Sequence, residues 1–592
     1  MPQNSLESLP PYLRRYCTTQ DYAKYTSRDH AAWRYIMRQS RDYFKGNAVP
    51  IYLDGLQKTG IPLDRIPKIS EMDQALREFG WGAVPVCGFI PPMAFLDLQA
   101  RGILPIATDM RTVDHIGYTP SPDIVHEAAG HAPIIADPGY REYLRKYALL
   151  ADKTIMSIED LQVYESIRVL SDAKENPDTG HGEIEAARKN LDTAIAKVSY
   201  VSEASKVSRM AWWTVEYGLL GNIKNPKIYG AGLLSSIAES QCCLRAEIPK
   251  IPLTVNCVDT SFDITEPQPQ LFVAEDMEHL TRVLHDLEER LSFKKGGLYG
   301  LEEARRAKTV NTIQLDSGVQ VSGILDSYES STILDSGKTL PAAHFIKLTG
   351  PAQICRERRE LPSQGTSRHS QGFSSPIGRW VGANHTSPTN LSEGELNSLG
   401  IRKGNRLTLN FVNGFKVDGI VLNIVREGAK ILYITWTDCS VFQGAQKYYD
   451  PSWGEFDMLV GEAVTSVFGG PADRAAYGHY EMGGVSTQPG RKSDFSPTEK
   501  KIFACYSKIR DIRNSPESNT DSDRKAVADD VLSNSGNEWL LALEVLELSH
   551  LNKKNTALEK RTLQCLSEQK MDGGSDVTEL IRKGIRIADV PD

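Results

Sequence analysis

The sequence lacks the features of secreted, disulfide-linked and membrane-spanning proteins. Its nine cysteines are odd in number and never spaced as a C-x-x-C pair, which argues against a disulfide framework and predicts free thiols in a reducing cytoplasm. No stretch approaches the roughly 18 uninterrupted apolar residues of a membrane span, and the first residues carry no apolar signal-peptide core. The sequence therefore predicts a cytoplasmic protein without a membrane segment.

The chain also lacks an excess of positive charge. Its formal net charge is −8, whereas binding to nucleic acid or to an anionic membrane surface requires a basic face. We therefore expect neither nucleic acid nor membrane as a partner. The 592 residues are too many for a single core, and an apolar fraction of 40% is ordinary for globular domains.

Residues 1–300 have a mainly helical pattern. Apolar residues recur at spacings of three and four in the segments 31–44, 138–152, 184–201 and 275–291. A polar stretch, 173–183, interrupts this pattern. We predict a mainly α domain over 1–300, with a helical insertion at about 153–200.

Alternating apolar and polar residues replace this pattern after Gly300 and predict a β-rich domain over 301–480. Asn413–Gly414, between two alternating runs, predicts a hairpin with a type I′ turn. The segment 312–325 aligns without gaps on 408–421, with Gly318 falling on Gly414. We interpret this as a duplicated hairpin unit.

Two further segments complete the predicted organisation. The stretch 360–378 is rich in serine and glycine and is predicted to be a flexible linker. Residues 481–592 are predicted to be a linker followed by a helical tail, in which 537–569 forms a helix or helix pair with an apolar docking stripe.

The pattern that carries chemistry is His126-Glu127-x-x-Gly130-His131. A zinc peptidase places its two histidines four residues apart, on one helical face. A spacing of five moves the second imidazole off that face in an α-helix, so convergence requires the helix to loosen or end near Gly130. The spacing therefore disfavours a zinc peptidase.

Two interpretations of the histidine pair remain at this point. In the first, both histidines simply pack within a helix. In the second, a carboxylate joins them to form the two-histidine, one-carboxylate face that leaves positions open for O2 on Fe(II). Spacing alone does not identify that carboxylate.

Four blocks in order closely resemble the pterin-dependent aromatic amino acid hydroxylases, over about residues 22 to 291. They are PDIVHEAAGH (122–131), WWTVEYGLL (212–220), IYGAGLLSSIAESQ (228–241) and EPQPQLFVAED (266–276). The resemblance implies an aromatic amino acid hydroxylase-like domain that uses Fe(II), O2 and a tetrahydropterin to hydroxylate an aromatic amino acid. It also implies that Glu216 joins His126 and His131 as the third iron ligand and catalytic residue.

The resemblance further assigns the substrate and pterin sites. Arg111 matches the arginine that binds the substrate carboxylate, with Asp123 orienting it. The other substrate-binding matches are Thr119, Trp212, Gly232 and Ser235, and the pterin-binding matches are Gly88, Ile90, Phe95 and Glu127. Pro91-Pro92 departs from the family's usual Ser-rich stretch and removes a backbone donor there.

Within this family the leading prediction is a phenylalanine 4-monooxygenase, since Trp212 at the pocket wall favours phenylalanine. Tryptophan or tyrosine hydroxylation is the alternative, and an inactive scaffold is the alternative from another class. The gap between His131 and Glu216 is longer than the family's. We expect the extra residues to form a helical hairpin over the pocket mouth or a partner surface.

Overall fold

The computed structural model describes residues 5–117, 122–175, 179–264, 266–335, 338–383, 386–478, 483–484, 496–514, 521–534, 538–550, 556–572 and 575–588. Its first half is mainly helical, as predicted. The helices up to residue 307 are α1 Ser5–Ser8, α2 Pro11–Arg14, α3 Ser27–Asn47, α4 Ile51–Lys58, α5 Ile69–Leu76, α6 Pro92–Ala100, α7 Pro138–Ala151, α8 Ile158–Glu175, α9 His181–Ala196, α10 Glu203–Ala211, α11 Ala231–Leu234, α12 Ile237–Cys242, α13 Met277–Glu288, α14 Ser292–Lys295 and α15 Gly297–Ala307.

Short strands flank these helices. Strands β1 Gly82–Val86 and β2 Ile103–Ala107 pair in parallel across α6. A second sheet has the order β4-β3-β6-β5, formed by β3 Leu219–Leu220, β4 Lys227–Ile228, β5 Lys250–Pro252 and β6 Leu271–Ala274. Helices α8 and α9 occupy the predicted insertion and pack against each other as a hairpin. Among the described residues, no helix combines the length and apolarity that crossing a bilayer requires.

The helices begin where the sequence supplies caps. Thr26 accepts the backbone N–H of Asp29, whose carboxylate accepts the N–H of Thr26, so a reciprocal capping box opens α3. Asp137 caps α7 by a single contact, accepting the N–H of Tyr140 at 2.9 Å, and Pro138 fills the first helical position. Helix α7 then packs against α6 and α13 around the site.

The β-rich region contains two sheets. The first has the order β10-β9-β8-β7-β17 with β11 beside β9, and the second has the order β12-β13-β14-β15 with β16 beside β14. Their strands are β7 Val310–Leu315, β8 Val319–Asp335, β9 Lys338–Arg356, β10 Arg359–Glu360, β11 Gly372–Pro376, β12 Arg406–Asn410, β13 Phe415–Glu427, β14 Lys430–Gln443, β15 Gln446–Tyr449, β16 Phe456–Leu459 and β17 Val464–Gly469; helix α16 Glu393–Ser398 lies between β11 and β12.

The hairpins β7–β8 and β12–β13 have the same register. Thr312 pairs with Ser322 in the first, and Thr408 pairs with Asp418 in the second. In each turn the N–H of a glycine donates to the carbonyl three residues earlier, Gly318 to Leu315 and Gly414 to Phe411. The φ values of these glycines are 86° and 88°.

The turn type predicted at Asn413–Gly414 was wrong. A type I′ turn needs positive φ at both residues, but only Gly414 adopts it. Asn413 instead donates its side-chain amide to the carbonyl of Ile377 at 2.7 Å, so this tertiary contact and a wider connection from Phe411 fix the hairpin. The predicted flexible linker 360–378 was also wrong, because Gly372–Pro376 forms β11 against β9.

The C-terminal helices return to the first domain. They are α17 Pro497–Asn514, α18 Asp521–Asn534, α19 Trp539–His550, α20 Thr556–Asp572 and α21 Ser575–Ala588. Their buried side chains share one hydrophobic core with α3, where Tyr35 meets Trp539 edge-on at 5.3 Å between ring centroids. Residues 485–495 and 515–520, within the predicted linker and tail, lie outside the described residues.

Candidate active site

Two π-helical segments carry the candidate metal ligands. Val125–His131 bears both histidines, and Trp212–Glu216 ends on the glutamate. A π-helix closes its hydrogen bonds from residue i to i+5. Residues five apart therefore return to one face, which an α-helix would not allow. The predicted loosening is present, but it extends through the whole segment instead of starting at Gly130.

Gly130 serves a different purpose from the one expected. Its φ is not positive, so the segment does not need glycine for its backbone conformation. A Cβ at this position would lie 2.6 Å from the carbonyl oxygen of Ala231. The glycine therefore lets α11 approach the histidine-bearing segment closely.

The three predicted ligands meet in a triangle. His126 Nε2 lies 3.2 Å from His131 Nε2 and 3.4 Å from Glu216 Oε2, and His131 Nε2 lies 3.2 Å from Glu216 Oε1. The His131 side chain is 1% exposed, whereas those of His126 and Glu216 are 19% and 21% exposed. One face of the triangle is therefore covered by protein, and the opposite face is accessible.

The protonation states in this cluster favour a cation. Burial lowers the pKa of His126 to about 4, so its imidazole is neutral. Burial opposes ionisation of Glu216, but the two imidazoles outweigh it and lower its pKa to about 2. Burial likewise disfavours a charged His131, yet Glu216 raises its pKa to about 9. A proton at His131 thus occupies the place that a metal ion would take.

The donor set fits iron. Two neutral imidazoles and one carboxylate form the facial set that non-haem Fe(II) oxygenases use, with positions left open for O2 and substrate. Ligand atoms 3.2 to 3.4 Å apart can all reach one ion at bond lengths of about 2.1 Å. The cluster His285, Glu288 and Glu289 also offers three donor atoms, but it lies at the surface, where acidic groups commonly cluster without a metal ion.

Asp123 joins the metal cluster to Arg111. Its carboxylate accepts Nε and Nη2 of Arg111 at 2.7 and 2.8 Å, a bidentate ion pair with both side chains buried. It also accepts the backbone N–H of His126 at 2.9 Å. One carboxylate therefore fixes the guanidinium and the start of the ligand-bearing segment together.

Ser235 makes two contacts that sequence reasoning did not anticipate. Its hydroxyl lies 3.0 Å from Nδ1 of His126, and its carbonyl accepts Nη1 of Arg111 at 3.0 Å. The sequence assigned Ser235 to the substrate pocket only. A partner on the second nitrogen of a ligating histidine fixes the ring orientation and tautomer.

Trp212 is held in an aromatic stack. Its ring lies 4.5 Å from that of Tyr217 and 4.3 Å from that of Phe262, the latter with an interplanar angle of 10°. Its indole N–H donates to Gln268 at 3.0 Å. Phe262 and Gln268 received no role from the sequence, although Gln268 belongs to the EPQPQ block that signalled the resemblance.

Two other predicted residues border the ligands. Gly232 lies against Tyr217, where an added Cβ would come within 3.0 Å of the ring. Glu127 is buried, and burial raises its pKa to about 8. Its Oε2 lies 3.9 Å from His131 Nε2 and has no hydrogen-bond partner among the described residues. A neutral carboxylic acid can donate a hydrogen bond to a bound molecule.

The other predicted pterin residues, Gly88, Ile90 and Phe95, form a second group around α6. Gly88 has a φ of 52°, which favours glycine, and its N–H reaches Asp109 at 3.3 Å. Ile90 is buried, whereas Phe95 on α6 is half-buried. Thr119, the remaining substrate-site prediction, lies outside the described residues.

A family model matches this part of the chain. Residues 14–160 and 194–300 match the biopterin-dependent aromatic amino acid hydroxylases. The match leaves out 161–193, within the α8–α9 hairpin, and all residues beyond 300.

Two similar curated proteins come from bacteria. The phenylalanine-4-hydroxylase of Pseudomonas aeruginosa is 26% identical over 277 residues, which cover 46% of this chain and 88% of the relative. That of Vibrio cholerae is 28% identical over 255 residues, covering 43% of this chain and 73% of the relative. Among solved structures, iron- and phenylalanine-bound phenylalanine hydroxylase from Chromobacterium violaceum aligns at 23% identity and a TM-score of 0.36, over 48% of this chain and 91% of that one.

Proposed function

We propose that this chain, whose residues 14–160 and 194–300 belong to the biopterin-dependent aromatic amino acid hydroxylase family, is a phenylalanine 4-monooxygenase. It would convert L-phenylalanine to L-tyrosine with O2 and a tetrahydropterin at a non-haem Fe(II). The observation that carries this proposal is the convergence of His126, His131 and Glu216 on one point beside a buried Arg111–Asp123 pair.

In this proposal His126, His131 and Glu216 hold the iron, which with O2 and the reduced pterin supplies the ring-hydroxylating chemistry. The chain's own contribution is to keep His126 neutral and Glu216 charged, whereas His131 releases its proton when a metal ion binds. Ser235 fixes the ring of His126, and the carboxylate of Glu216 stays charged at neutral pH. Because the ligand side chains are already oriented before the metal binds, the accessible face of the triangle stays available to the reactants.

Arg111 is proposed to bind the carboxylate of the amino acid. Three of its five N–H groups are engaged by Asp123 and Ser235, which leaves one on each terminal nitrogen for a second acceptor. A planar guanidinium suits a carboxylate, and the buried Asp123 compensates its charge when substrate is absent. The substrate would thereby be oriented relative to the metal through Asp123.

Trp212 and Gly232 are proposed to border the aromatic ring of the substrate. The stack of Trp212 between Tyr217 and Phe262 makes this wall rigid, and a rigid aromatic wall selects for ring shape. Gly88, Ile90, Phe95 and Glu127 are proposed to bind the pterin. Stacking on Phe95 requires its exposed face, and a protonated Glu127 would supply a donor.

The test is hydroxylation by the full-length, iron-loaded protein with O2 and tetrahydrobiopterin, given phenylalanine, tyrosine or tryptophan separately. We expect tyrosine from phenylalanine, with little product from the other two. Preferred hydroxylation of tryptophan or tyrosine would overturn the substrate assignment. Iron binding without hydroxylation of any of the three would overturn the enzymatic proposal.

We also propose the organisation of the chain as a hydroxylase domain over 1–300, a β-rich domain over 301–480 and a linker with a helical tail over 481–592. The β-rich domain is proposed to contain a duplicated hairpin unit. Support for this comes from the shared register of β7–β8 and β12–β13 and from their turn glycines, at a constant offset.

A further inference from the structure

The parts of the chain outside the family match meet at α6 and the loop before it. That loop, residues 88–91, and α6 carry the proposed pterin residues Gly88, Ile90 and Phe95. Helix α8 reaches the loop through Tyr164, whose hydroxyl donates to the carbonyl of Phe89 at 3.2 Å. The aromatic rings of these two residues lie 5.9 Å apart.

A segment that follows the β-rich region reaches the same loop. The carbonyl of Gly483 accepts the hydroxyl of Tyr16 at 3.2 Å, and the N–H of Gly484 donates to Glu165 of α8 at 2.5 Å. A Cβ at Gly483 would lie 2.9 Å from the ring of Tyr164 and 3.1 Å from Pro91. The segment therefore lies tightly between α8 and the loop.

Arg474 connects the β-rich region to α6 itself. It follows β17, and its side chain is 5% exposed. Its Nη1 pairs with Asp97 of α6 at 3.1 Å and with Asp152 at the end of α7, whose carbonyl accepts Nη2 at 3.1 Å. Burial raises the pKa of Asp152, but Arg474 and Arg358 outweigh it and lower that pKa. The cluster is thus an ion-pair network buried between the two domains.

The geometry of α6 relates this network to the proposed cofactor site. Asp97 and Phe95 are two residues apart, so their side chains point about 200° apart around the helix. Asp97 shares its face with Met93, which is buried. The helix is therefore anchored on one side by Arg474 and presents the half-buried Phe95 on the other.

We infer that Arg474 is a positioning residue of the pterin site, which holds α6 through Asp97 so that Phe95 and the 88–91 loop keep the orientation that pterin stacking requires. This inference rests on the proposed function. It gives the β-rich region a role in the hydroxylation without contact to the reactants. It also explains how the loop accommodates Pro91-Pro92. The contacts of the loop with α8 and with residues 483–484 replace the backbone donor that proline lacks.

The test compares Arg474→Met and Arg474→Lys with the matched control Arg368→Met in the full-length chain. Arg368 also forms a double ion pair, with Asp457 and Glu455, but entirely within the β-rich region. For Arg474→Met we expect the KM for tetrahydrobiopterin to rise about tenfold or more, the scale of a displaced binding element. The KM for phenylalanine and the iron content should stay within about twofold. Arg474→Lys should recover part of the loss, and Arg368→Met should match the parent chain.

Two measurements independent of turnover accompany the kinetics. Calorimetric titration with 7,8-dihydrobiopterin should show weaker binding to Arg474→Met, and hydrogen exchange over residues 88–100 should be faster. If Arg474→Met does not fold, Asp97→Asn removes the partner on α6 and should give the same pterin-selective loss. An unchanged pterin affinity with unchanged exchange in a folded variant would overturn the inference. So would a parallel loss of phenylalanine and pterin binding.

Failure of the proposed function has a different signature. In that case the parent chain would hydroxylate none of the aromatic amino acids. Exchange over 88–100 would still report whether Arg474 holds α6.

Discussion

The Nε2 atoms of His126 and His131 lie 3.2 Å apart, although five residues separate them along the chain. At that distance the two lone pairs repel each other unless a proton or a metal ion lies between them. The carboxylate of Glu216 adds a negative charge at the same point. The three groups are therefore most stable around a cation.

Removing a ligand should remove iron. We predict that His126→Ala and Glu216→Ala bind less than about a tenth of the iron that the parent chain binds, because two donors do not hold a labile divalent ion against water. Metal analysis after gel filtration measures this. His285→Ala, in the exposed second cluster, should bind iron normally. Full iron in Glu216→Ala would show that another carboxylate is the third ligand.

The affinity for metal should depend on pH with a definite sign. The pKa of His131 is raised to about 9 when the metal is absent. Below that pH a metal ion must displace a proton, so affinity should rise by about tenfold per pH unit as pH increases and level off near 9. Titrations with Co(II), which resists oxidation, measure this from pH 6 upward. A flat profile between pH 6 and 8 would contradict the assigned proton.

Loss of the Ser235 hydroxyl should weaken the site without destroying it. Ser235→Ala removes the partner 3.0 Å from His126 Nδ1, so the imidazole can rotate and change tautomer. Partners of this kind typically account for about 10- to 100-fold in metal affinity. Ser240→Ala is the control, because among the described residues its buried hydroxyl donates to the carbonyl of Ile237 in its own helix and not to a site residue. Equal affinities for the two variants would exclude this role.

Substitution of Arg111 should weaken binding of the amino acid without weakening binding of the metal. Arg111→Lys keeps the charge but loses the fork that pairs with Asp123 at 2.7 and 2.8 Å. We predict that the KM for phenylalanine rises by about 10- to 100-fold, the value of one or two charge-assisted hydrogen bonds. Iron content should not change. Arg141 donates to the backbone carbonyl of Ile135 and not to a carboxylate, so Arg141→Lys should retain the parent KM.

Some of this site could be predicted from sequence and some could not. Binary patterning located several helices of the first domain, since α3, α7, α9 and α13 fall on the predicted segments, but none of these four carries a site residue. The spacing of His126 and His131 showed that an ordinary α-helix could not join them. It did not show that the whole segment is π-helical, nor that Gly130 is needed for the close approach of α11.

Contacts between distant segments account for what was missed. Ser235 and Gln268 acquire their partners across more than fifty residues of chain, and no local pattern records such pairs. The turn at Asn413 differs for the same reason, since its amide bonds to Ile377 and not within the hairpin. For α19 the sequence showed an apolar docking stripe, but it did not show that α3 is the helix on which the stripe packs.

The C-terminal helices should contribute stability that is lost in acid. Glu544 of α19 is buried and accepts Nε and Nη2 of Arg34 on α3 at 3.0 and 2.7 Å. Burial raises its pKa, but Arg34 and Arg513 outweigh burial and lower it below the ordinary value of 4.5. A depressed carboxyl pKa stabilises the folded state above the unfolded-state pKa, and this stabilisation is lost as pH falls below 4.5.

Glu544→Gln should therefore reduce the free energy of unfolding at neutral pH by about 3 kcal/mol, because it leaves the charge of Arg34 buried. Below pH 4.5 the free energy of unfolding should also fall less steeply with decreasing pH in the variant than in the parent chain. Urea unfolding at a series of pH values measures both effects. Glu579→Gln, in a 42% exposed ion pair on α21, should change stability by less than about 0.5 kcal/mol. Equal effects of the two substitutions would mean that the Arg34–Glu544 pair does not hold α19 against α3.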